Sequence, residues 1–180
     1  MREYTYNNMT FREMISSDEL GTMVDQIAQQ INADYVGRTV QLVVVLRGAA
    51  MFATDLMKRL TCDCTVTFVR LHSFDGTGDR STVKELMAAE QSEIAGRDVV
   101  VIEDIIDSGM SMHFFKQRLY DLGARTLKVA ALLYKPEALQ YPDAKPDYYG
   151  RQIGQEFVIG YGFDIDEHAR QLNAIYSLVR

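Results

Sequence analysis

Two short runs of apolar, mostly β-branched residues constrain the fold of this chain more than any other feature. Residues 41–46 and 98–102 hold such residues without regular alternation with polar ones, which is typical of strands buried on both faces. Residues 65–71 and 126–134 are predicted as two further strands. Between the strands, apolar residues recur at helical spacing, as they do from Leu20 to Ile31 and from Met112 to Leu122.

Strands that alternate with helices imply βαβ crossovers. We therefore expect an α/β fold with a mainly parallel, twisted sheet flanked by helices. Ser16 and Glu19 have the spacing of a capping box and predict a helix start, and residues 50–60 predict another helix. All three prolines fall between 136 and 146. We expect residues 1–180 to form one domain, with a small cap (hood) subdomain built largely from about 136–180.

Composition excludes several classes of protein. Apolar residues make up 47% of the 180 and charged residues 24%, which is ordinary for a globular domain. The net charge of −6 disfavours nucleic acid as a partner, and the longest apolar runs are far short of the ~20 residues of a membrane span. Cys62 and Cys64 lack the spacing of a disulfide framework or zinc site. Without a secretory signal, we expect reduced thiols in a cytoplasmic protein.

The segment 99–111 is the strongest candidate for a functional site. A buried strand runs into Glu103 and Asp104, and Asp107 follows three positions later. Parallel sheets bind ligands beyond the carboxyl ends of their strands, and the backbone N–H groups around Gly109 can hold an anion at a helix start. Carboxylates beside a phosphate cradle suit a sugar phosphate, with or without a divalent cation. A solvated acidic loop with an ordinary helix cap is the alternative interpretation.

The sequence EDIIDSG after VVVI resembles the phosphoribosyl diphosphate (PRPP) signature of the type I phosphoribosyltransferases, specifically of their hypoxanthine/guanine members. Further matches extend the resemblance over about residues 40–172. It implies a pentosyl-group transferase of purine salvage: the phosphoribosyl group passes from PRPP to hypoxanthine or guanine and gives IMP or GMP and pyrophosphate. It also implies Mg²⁺ as cofactor.

The resemblance implies roles for individual residues. Glu103 and Asp104 would hold the ribose hydroxyls, in part through Mg²⁺, and Asp107 would be the general base. Backbone groups of Asp107, Ser108, Gly109, Met110 and Ser111 would hold the 5′-phosphate, with Met110 where relatives often have Lys or Asn. The pyrophosphate would contact Arg47 and Gly48, in a loop that often contains a cis peptide, and also Arg170.

The remaining matches concern the purine and a lid. Lys135 matches the lysine that reaches the 6-oxo group, and Phe157 matches the ring that stacks on the base. Val158 and Asp164 would contact the base edge, and Asp164 would also be a magnesium ligand with Glu103 and Asp104. Ser73 and Phe74 begin a predicted lid at 72–84, where the family usually has Ser-Tyr.

Other interpretations stay open at this point. A relative of the same fold could use xanthine, orotate or adenine, although Lys135 and Phe157 favour a 6-oxopurine. Some regulators reuse this fold without catalysis, but those that read DNA carry an extra domain and RNA-binding ones show a basic face. The choice among hypoxanthine, guanine and xanthine is not determined. We expect a homodimer or a homotetramer.

Overall fold

Two sheets organise residues 2–72 and 84–179, the part of the chain that the computed structural model describes. Strands and helices follow one another as β1 (Glu3–Tyr6), β2 (Met9–Ile15), α1 (Ser17–Asp34), β3 (Thr39–Leu46), α2 (Ala50–Met57), β4 (Asp63–His72), β5 (Lys84–Met87), α3 (Gln91–Ile94), β6 (Asp98–Ile106), α4 (Met110–Asp121), β7 (Thr126–Tyr134), a 3₁₀ turn (Pro142–Ala144), β8 (Tyr148–Gln152), β9 (Val158–Ile159) and β10 (Ile175–Leu178).

The main sheet has the strand order β5-β4-β3-β6-β7-β8. Its last five strands run parallel and β5 is antiparallel, which confirms the predicted α/β fold. Alternate residues of β3 face two separate cores. Leu42 and Val44 pack on the side of α1 and α2, whereas Val43 and Val45 pack on the side of α4. Burial on both faces explains why this strand does not alternate with polar residues.

Strand β6 is longer than the sequence predicted. The prediction ended it at Ile102, but its pairing with β7 continues to Ile106 opposite Tyr134. Its pairing with β3 does stop at Ile102, opposite Val44. Glu103 and the residues after it are therefore paired on one side only. The polar residues after Ile102 mark the end of the pairing with β3, whereas the strand itself continues.

The second sheet, which we call the hood sheet, has the antiparallel order β1-β2-β10-β9. The predicted cap covered 136–180, and no element was assigned to residues 3–15, yet these supply two of the four strands. Asn7 and Asn8 turn the β1–β2 hairpin with positive φ at both positions, which asparagine tolerates. Residues 148–152, predicted within the cap, instead extend the main sheet as β8.

The local prediction about the start of helix α1 is confirmed. The Ser16 hydroxyl accepts from the Glu19 amide at 3.3 Å, and the Glu19 carboxylate accepts from the Ser16 amide at 2.9 Å.

Cys62 and Cys64 are both free, and burial raises the pKa of each thiol. Among the described residues, no helix is both long and apolar enough to cross a bilayer.

A buried carboxylate joins three segments at the amino-terminal edge of the main sheet. Asp98 is 1% exposed and accepts two hydrogen bonds from Arg125, at 2.9 and 2.7 Å. The Thr126 hydroxyl donates to it at 2.8 Å and Arg38 at 3.3 Å. The Arg125 hydrogen bonds are the main reason why the pKa of Asp98 is lowered to about 2. Asp98 thus stabilises the edge opposite the predicted site.

Replacing Asp98 with Asn is expected to lower the free energy of unfolding by about 1.5–3 kcal/mol at neutral pH, the value of hydrogen bonds to a charged group. Because the pKa is lower in the folded protein, this stabilisation is complete above about pH 4 and is lost as the pH falls towards about 2. Urea denaturation across this range measures it. The control Glu3→Gln, which removes an exposed pair with Arg12, should cost less than about 1 kcal/mol. Equal effects would contradict this role of Asp98.

Candidate active site

A cavity of about 340 Å³ opens where β3 and β6 separate. The chain leaves β3 towards β4 on one side and reaches β6 on the other, so this is the point where the strand order reverses. The cavity brings together eleven of the predicted site residues: Arg47, Gly48, Glu103, Asp104, Asp107, Ser108, Gly109, Met110, Ser111, Asp164 and Arg170. Segments far apart in the sequence thus meet at the predicted edge of the sheet.

Glu103 and Asp104 form a desolvated carboxylate pair on the one-sided part of β6. The Asp104 amide donates to Glu103 at 3.1 Å, and the Ile105 amide donates to Asp104 at 2.7 Å. Burial, together with the neighbouring Asp104 charge, raises the pKa of Glu103 well above its usual range. Burial also raises the pKa of Asp104, although Arg170 acts in the opposite direction. The pair therefore provides oxygen ligands whose charge the protein leaves poorly compensated.

These carboxylates fit Mg²⁺ in one respect and not in another. Hard cations take carboxylate oxygens, and Mg²⁺ is usually held by one or two carboxylates, several waters and substrate phosphates. Glu103 and Asp104 match that number. The described residues contain no cluster of three His, Cys, Asp or Glu side chains suited to one ion. The Asp164 carboxylate pairs with Arg170 at 2.8 Å.

The start of helix α4 faces the cavity and offers backbone donors. Residues 107–112 all line it, and α4 begins at Met110 after Gly109, whose φ is +79°. The first helical turn contains no acidic residue, so its positive end is not compensated locally. The unpaired N–H groups of a helix start bind phosphate well. Met110 requires no particular side chain for this role, since the backbone supplies the donors.

The loop after β3 passes so close to β6 that Gly48 has no room for a side chain. A Cβ there would lie 1.5 Å from an Asp104 carboxylate oxygen. Gly162 of the hood packs against the other side of this loop, where a Cβ added to Gly162 would lie 2.0 Å from the Gly48 carbonyl oxygen. The peptide bond between Leu46 and Arg47 is cis, a state that the sequence left open. The loop is thus enclosed between the strand tip and the hood.

Arg170 reaches the cavity from the hood and is firmly oriented. Its guanidinium donates to the Gly162 carbonyl at 2.8 Å and pairs with Asp164 at 2.8 Å. Its Nε is buried and has no hydrogen-bond partner among the described residues. An unused buried donor normally costs free energy.

Lys135 lies at the end of β7 and connects to the cavity through Asp107. Its ammonium donates to the Asp107 carboxylate at 2.9 Å. The Lys135 side chain is only 12% exposed, whereas that of Asp107 is 54% exposed. A cationic donor and an anionic acceptor therefore stand side by side at the mouth of the cavity.

Two predicted residues of the hood lie outside this cavity. Phe157 and Val158 do not line it; Phe157 lines a separate cavity of about 380 Å³, and its half-exposed ring lies 6.2 Å from that of Phe11. Ser73 and Phe74, like the predicted lid they begin, lie outside the described residues.

The structure adds one residue that sequence reasoning missed. Glu167 accepts hydrogen bonds from both Arg47 and Arg170. It lies in a tight turn in which Asp166, Glu167 and Ala169 have positive φ. No spacing rule points to a contact that links residues 47 and 167, so the sequence alone carried no signal for it.

Together, the reversal point of the sheet, the carboxylate pair and the phosphate cradle define the type I phosphoribosyltransferase fold. Residues 16–166 match the family model described as "Phosphoribosyl transferase domain". A hypoxanthine-guanine phosphoribosyltransferase of Mycobacterium tuberculosis is 30% identical over 92% of this chain and 84% of its own. One from Lactococcus lactis is 30% identical over 96% and 93%.

Solved structures agree with the sequence relatives. A hypoxanthine-guanine phosphoribosyltransferase from Bacillus anthracis superposes with a TM-score of 0.84, at 36% identity, over 93% of this chain and 96% of that one. A hypoxanthine phosphoribosyltransferase from Trypanosoma cruzi gives 0.85 at 28% identity, over 93% and 95%. This chain belongs to the phosphoribosyltransferase family.

Replacing Glu103 with Gln is expected to stabilise the free protein while weakening PRPP binding in the presence of Mg²⁺. The raised pKa means that folding is penalised once the pH exceeds the ordinary value of 4.5. The stabilisation should therefore be present at about pH 8 and absent near pH 4, with a melting temperature higher by about 2–4 °C for each kcal/mol of relieved repulsion.

Thermal melting at both pH values provides the measurement. Glu93→Gln is the control with the opposite sign, because hydrogen bonds from the Glu90 amide and Thr67 lower the pKa of Glu93. A Glu103→Gln protein that melts below the wild type at about pH 8 would show that the carboxylate pair is not a source of strain.

Proposed function

We propose that this enzyme transfers the 5-phosphoribosyl group from PRPP to hypoxanthine and guanine, giving IMP or GMP and pyrophosphate. The observation that carries the proposal is the single cavity lined by the carboxylates of β6, the start of α4 and two arginines. Those three features match the three parts of PRPP: ribose hydroxyls, 5′-phosphate and pyrophosphate. The names of the relatives support hypoxanthine and guanine as the bases.

The chain positions the sugar from three sides. Glu103 and Asp104 accept hydrogen bonds from the ribose hydroxyls. The same two carboxylates would hold Mg²⁺, which would supply positive charge to the site. Backbone amides around residues 107–111 hold the 5′-phosphate. Arg47, Gly48 and Arg170, which all line the cavity, hold the leaving pyrophosphate. Positive charge develops on the ribose ring as the bond to pyrophosphate breaks, so stabilising the leaving anion lowers the barrier.

Lys135 and Asp107 suit the edge of a 6-oxopurine. That edge presents a carbonyl oxygen, an acceptor, beside an N7–H donor. The Lys135 ammonium can donate to the oxygen while the Asp107 carboxylate accepts from N7–H. Asp107 acts as the general base that takes the N7 proton as N9 attacks the anomeric carbon. An adenine would present its amino group as a donor to the Lys135 donor, and this mismatch disfavours it.

Residues of the hood complete the purine site. The exposed ring of Phe157 offers a stacking surface, and Val158 and Asp164 contact the base edge in this proposal. The cavity beside Phe157 is lined by Gln155, Glu156, Phe157 and Leu178, all from the hood sheet or the loop that precedes it. The base would therefore lie between the hood and the Lys135–Asp107 pair.

The protein is proposed to be cytoplasmic and to act as a homodimer or homotetramer. Two unpaired thiols and the absence of a helix able to cross a bilayer in the described residues support the first point. On strand β4, Val66 and Phe68 point to the same side and are each 41% exposed, and on α2 Met51 is 40% exposed. Exposed apolar side chains on one side of the sheet support self-association.

The proposed function predicts transfer to hypoxanthine and guanine, but not to adenine or orotate, in a spectrophotometric assay with PRPP and Mg²⁺. Lys135→Ala should raise KM for the purine about tenfold or more, since a hydrogen bond from a charged donor is lost, and should leave KM for PRPP unchanged. Lys128→Ala is the matched control, because Lys128 lies near the start of β7, the strand that leads to Lys135, and pairs with Asp34. Transfer to adenine or orotate in place of the oxopurines would refute the substrate assignment.

Replacing Asp107 with Asn is expected to lower kcat by about 10²–10⁴-fold with little change in KM for PRPP. Asn keeps the size of the side chain but cannot take the purine proton. Steady-state kinetics of the variant provide the measurement, and Asp121→Asn, at the exposed far end of α4, should behave as wild type. An unchanged kcat would remove Asp107 from the chemical step.

A further inference from the structure

Glu167 joins the two arginines that face the pyrophosphate side of the cavity. Its carboxylate accepts from Arg47 Nη1 and, at 3.2 Å, from Arg170 Nη2. Both arginines line the cavity, whereas Glu167 does not and its side chain is 61% exposed. The contact therefore draws the Arg47 guanidinium towards the rim. The hydrogen bond from Arg47 is the first of several effects that lower the pKa of Glu167, so the carboxylate is charged at neutral pH.

The two arginines depend on Glu167 to different degrees. Arg170 is already held by the Gly162 carbonyl and by Asp164, both at 2.8 Å, and does not need a third partner to stay in place. For Arg47, Glu167 is the side chain that binds its guanidinium in the described part of the chain. Arg47 is 46% exposed and has a long, flexible stem, so it can leave this partner.

We propose that Glu167 is an internal competitor of pyrophosphate: it holds Arg47 at the rim in the free enzyme and releases it to the pyrophosphate group of PRPP. The inference rests on the proposed function, which assigns Arg47 and Arg170 to that group. Pyrophosphate carries more charge than one carboxylate and offers several acceptor oxygens, so the exchange favours substrate. The lost Arg47–Glu167 pair subtracts from the affinity for PRPP, and its return helps pyrophosphate to leave.

Electrostatics decide between this role and a purely supporting one. A supporting Glu167 would stay bound to Arg47 and orient it, and its removal would weaken PRPP binding. However, Asp164, Glu103 and Asp104 already repel a bound pyrophosphate, and the Glu167 carboxylate beside that anion would add to the repulsion. Exchange removes the carboxylate from the anion and frees Arg47. The two roles therefore predict opposite signs for the same substitution.

The test is Glu167→Gln, which keeps the shape of the side chain and removes its charge. KM for PRPP and the dissociation constant of pyrophosphate with Mg²⁺ are both expected to fall about two- to tenfold, the range that one or two partly exposed ion pairs represent. KM for the purine should not change. Titration calorimetry with pyrophosphate and Mg²⁺ measures binding without turnover, and Glu167→Ala should change both constants in the same direction.

Asp166→Asn is the matched control. It removes the same charge from the neighbouring residue of the same turn, but Asp166 contacts Tyr6 and not the arginines. An equal fall in Asp166→Asn would show a general charge effect, and unchanged or raised constants in Glu167→Gln would show a structural role; either result overturns the proposal. Failure of the wild type to transfer phosphoribosyl groups to any base would instead overturn the proposed function, while the calorimetry would still report on Glu167.

Discussion

The site depends on two neighbouring carboxylates whose surroundings supply too little positive charge to balance them. Glu103 and Asp104 lie on the part of β6 that β3 has left, so one side of the strand is open to a ligand. Burial raises the pKa of both, which means that the free protein holds them at a cost. Hydrogen bonds from backbone amides relieve that cost only in part, and the charge of Arg170 adds a smaller contribution at Asp104. A ligand that brings positive charge to this place can relieve the remaining cost.

The acidic residues at the two ends of β6 lie in opposite electrostatic environments. At its first residue, Asp98 is surrounded by Arg125, Thr126 and Arg38, and its pKa is lowered to about 2. Five residues further along, Glu103 has a raised pKa and no arginine in its hydrogen bonds. The amino-terminal end of β6 thus carries an acid whose charge is compensated, which stabilises the fold. The carboxyl-terminal end carries acids whose charge is left for a ligand to compensate. This division agrees with the rule that parallel sheets bind at their carboxyl ends.

How far the sequence could predict this arrangement depends on the range of the interactions. The buried strands and the capping box at Ser16 are local patterns that the structure confirms. The cluster around 103–111 is also a local pattern, and its residues line one cavity. The end of β6 was misplaced because pairing with β7 outlasts pairing with β3, which no local pattern encodes. The Glu167 contact and the amino-terminal strands of the hood were missed for the same reason. Each depends on where distant segments pack.

The hood explains why the site needs both ends of the chain. Strand β1 pairs with β2, and β2 pairs with β10. The loop between β9 and β10 carries Asp164 and Arg170 to the cavity at the tip of β6, and Glu167 of the same loop contacts Arg170 and Arg47. Tyr161 fastens this loop to α2 through a 2.7 Å hydrogen bond to Asp55. Within the residues described, two arginines and one lysine then face five carboxylates: Glu103, Asp104, Asp107, Asp164 and Glu167. Acids outnumber bases around a cavity proposed to take a polyanion. Cations that accompany the substrate would offset this excess of negative charge, and the proposed release of Arg47 by Glu167 would add one more positive charge beside the anion.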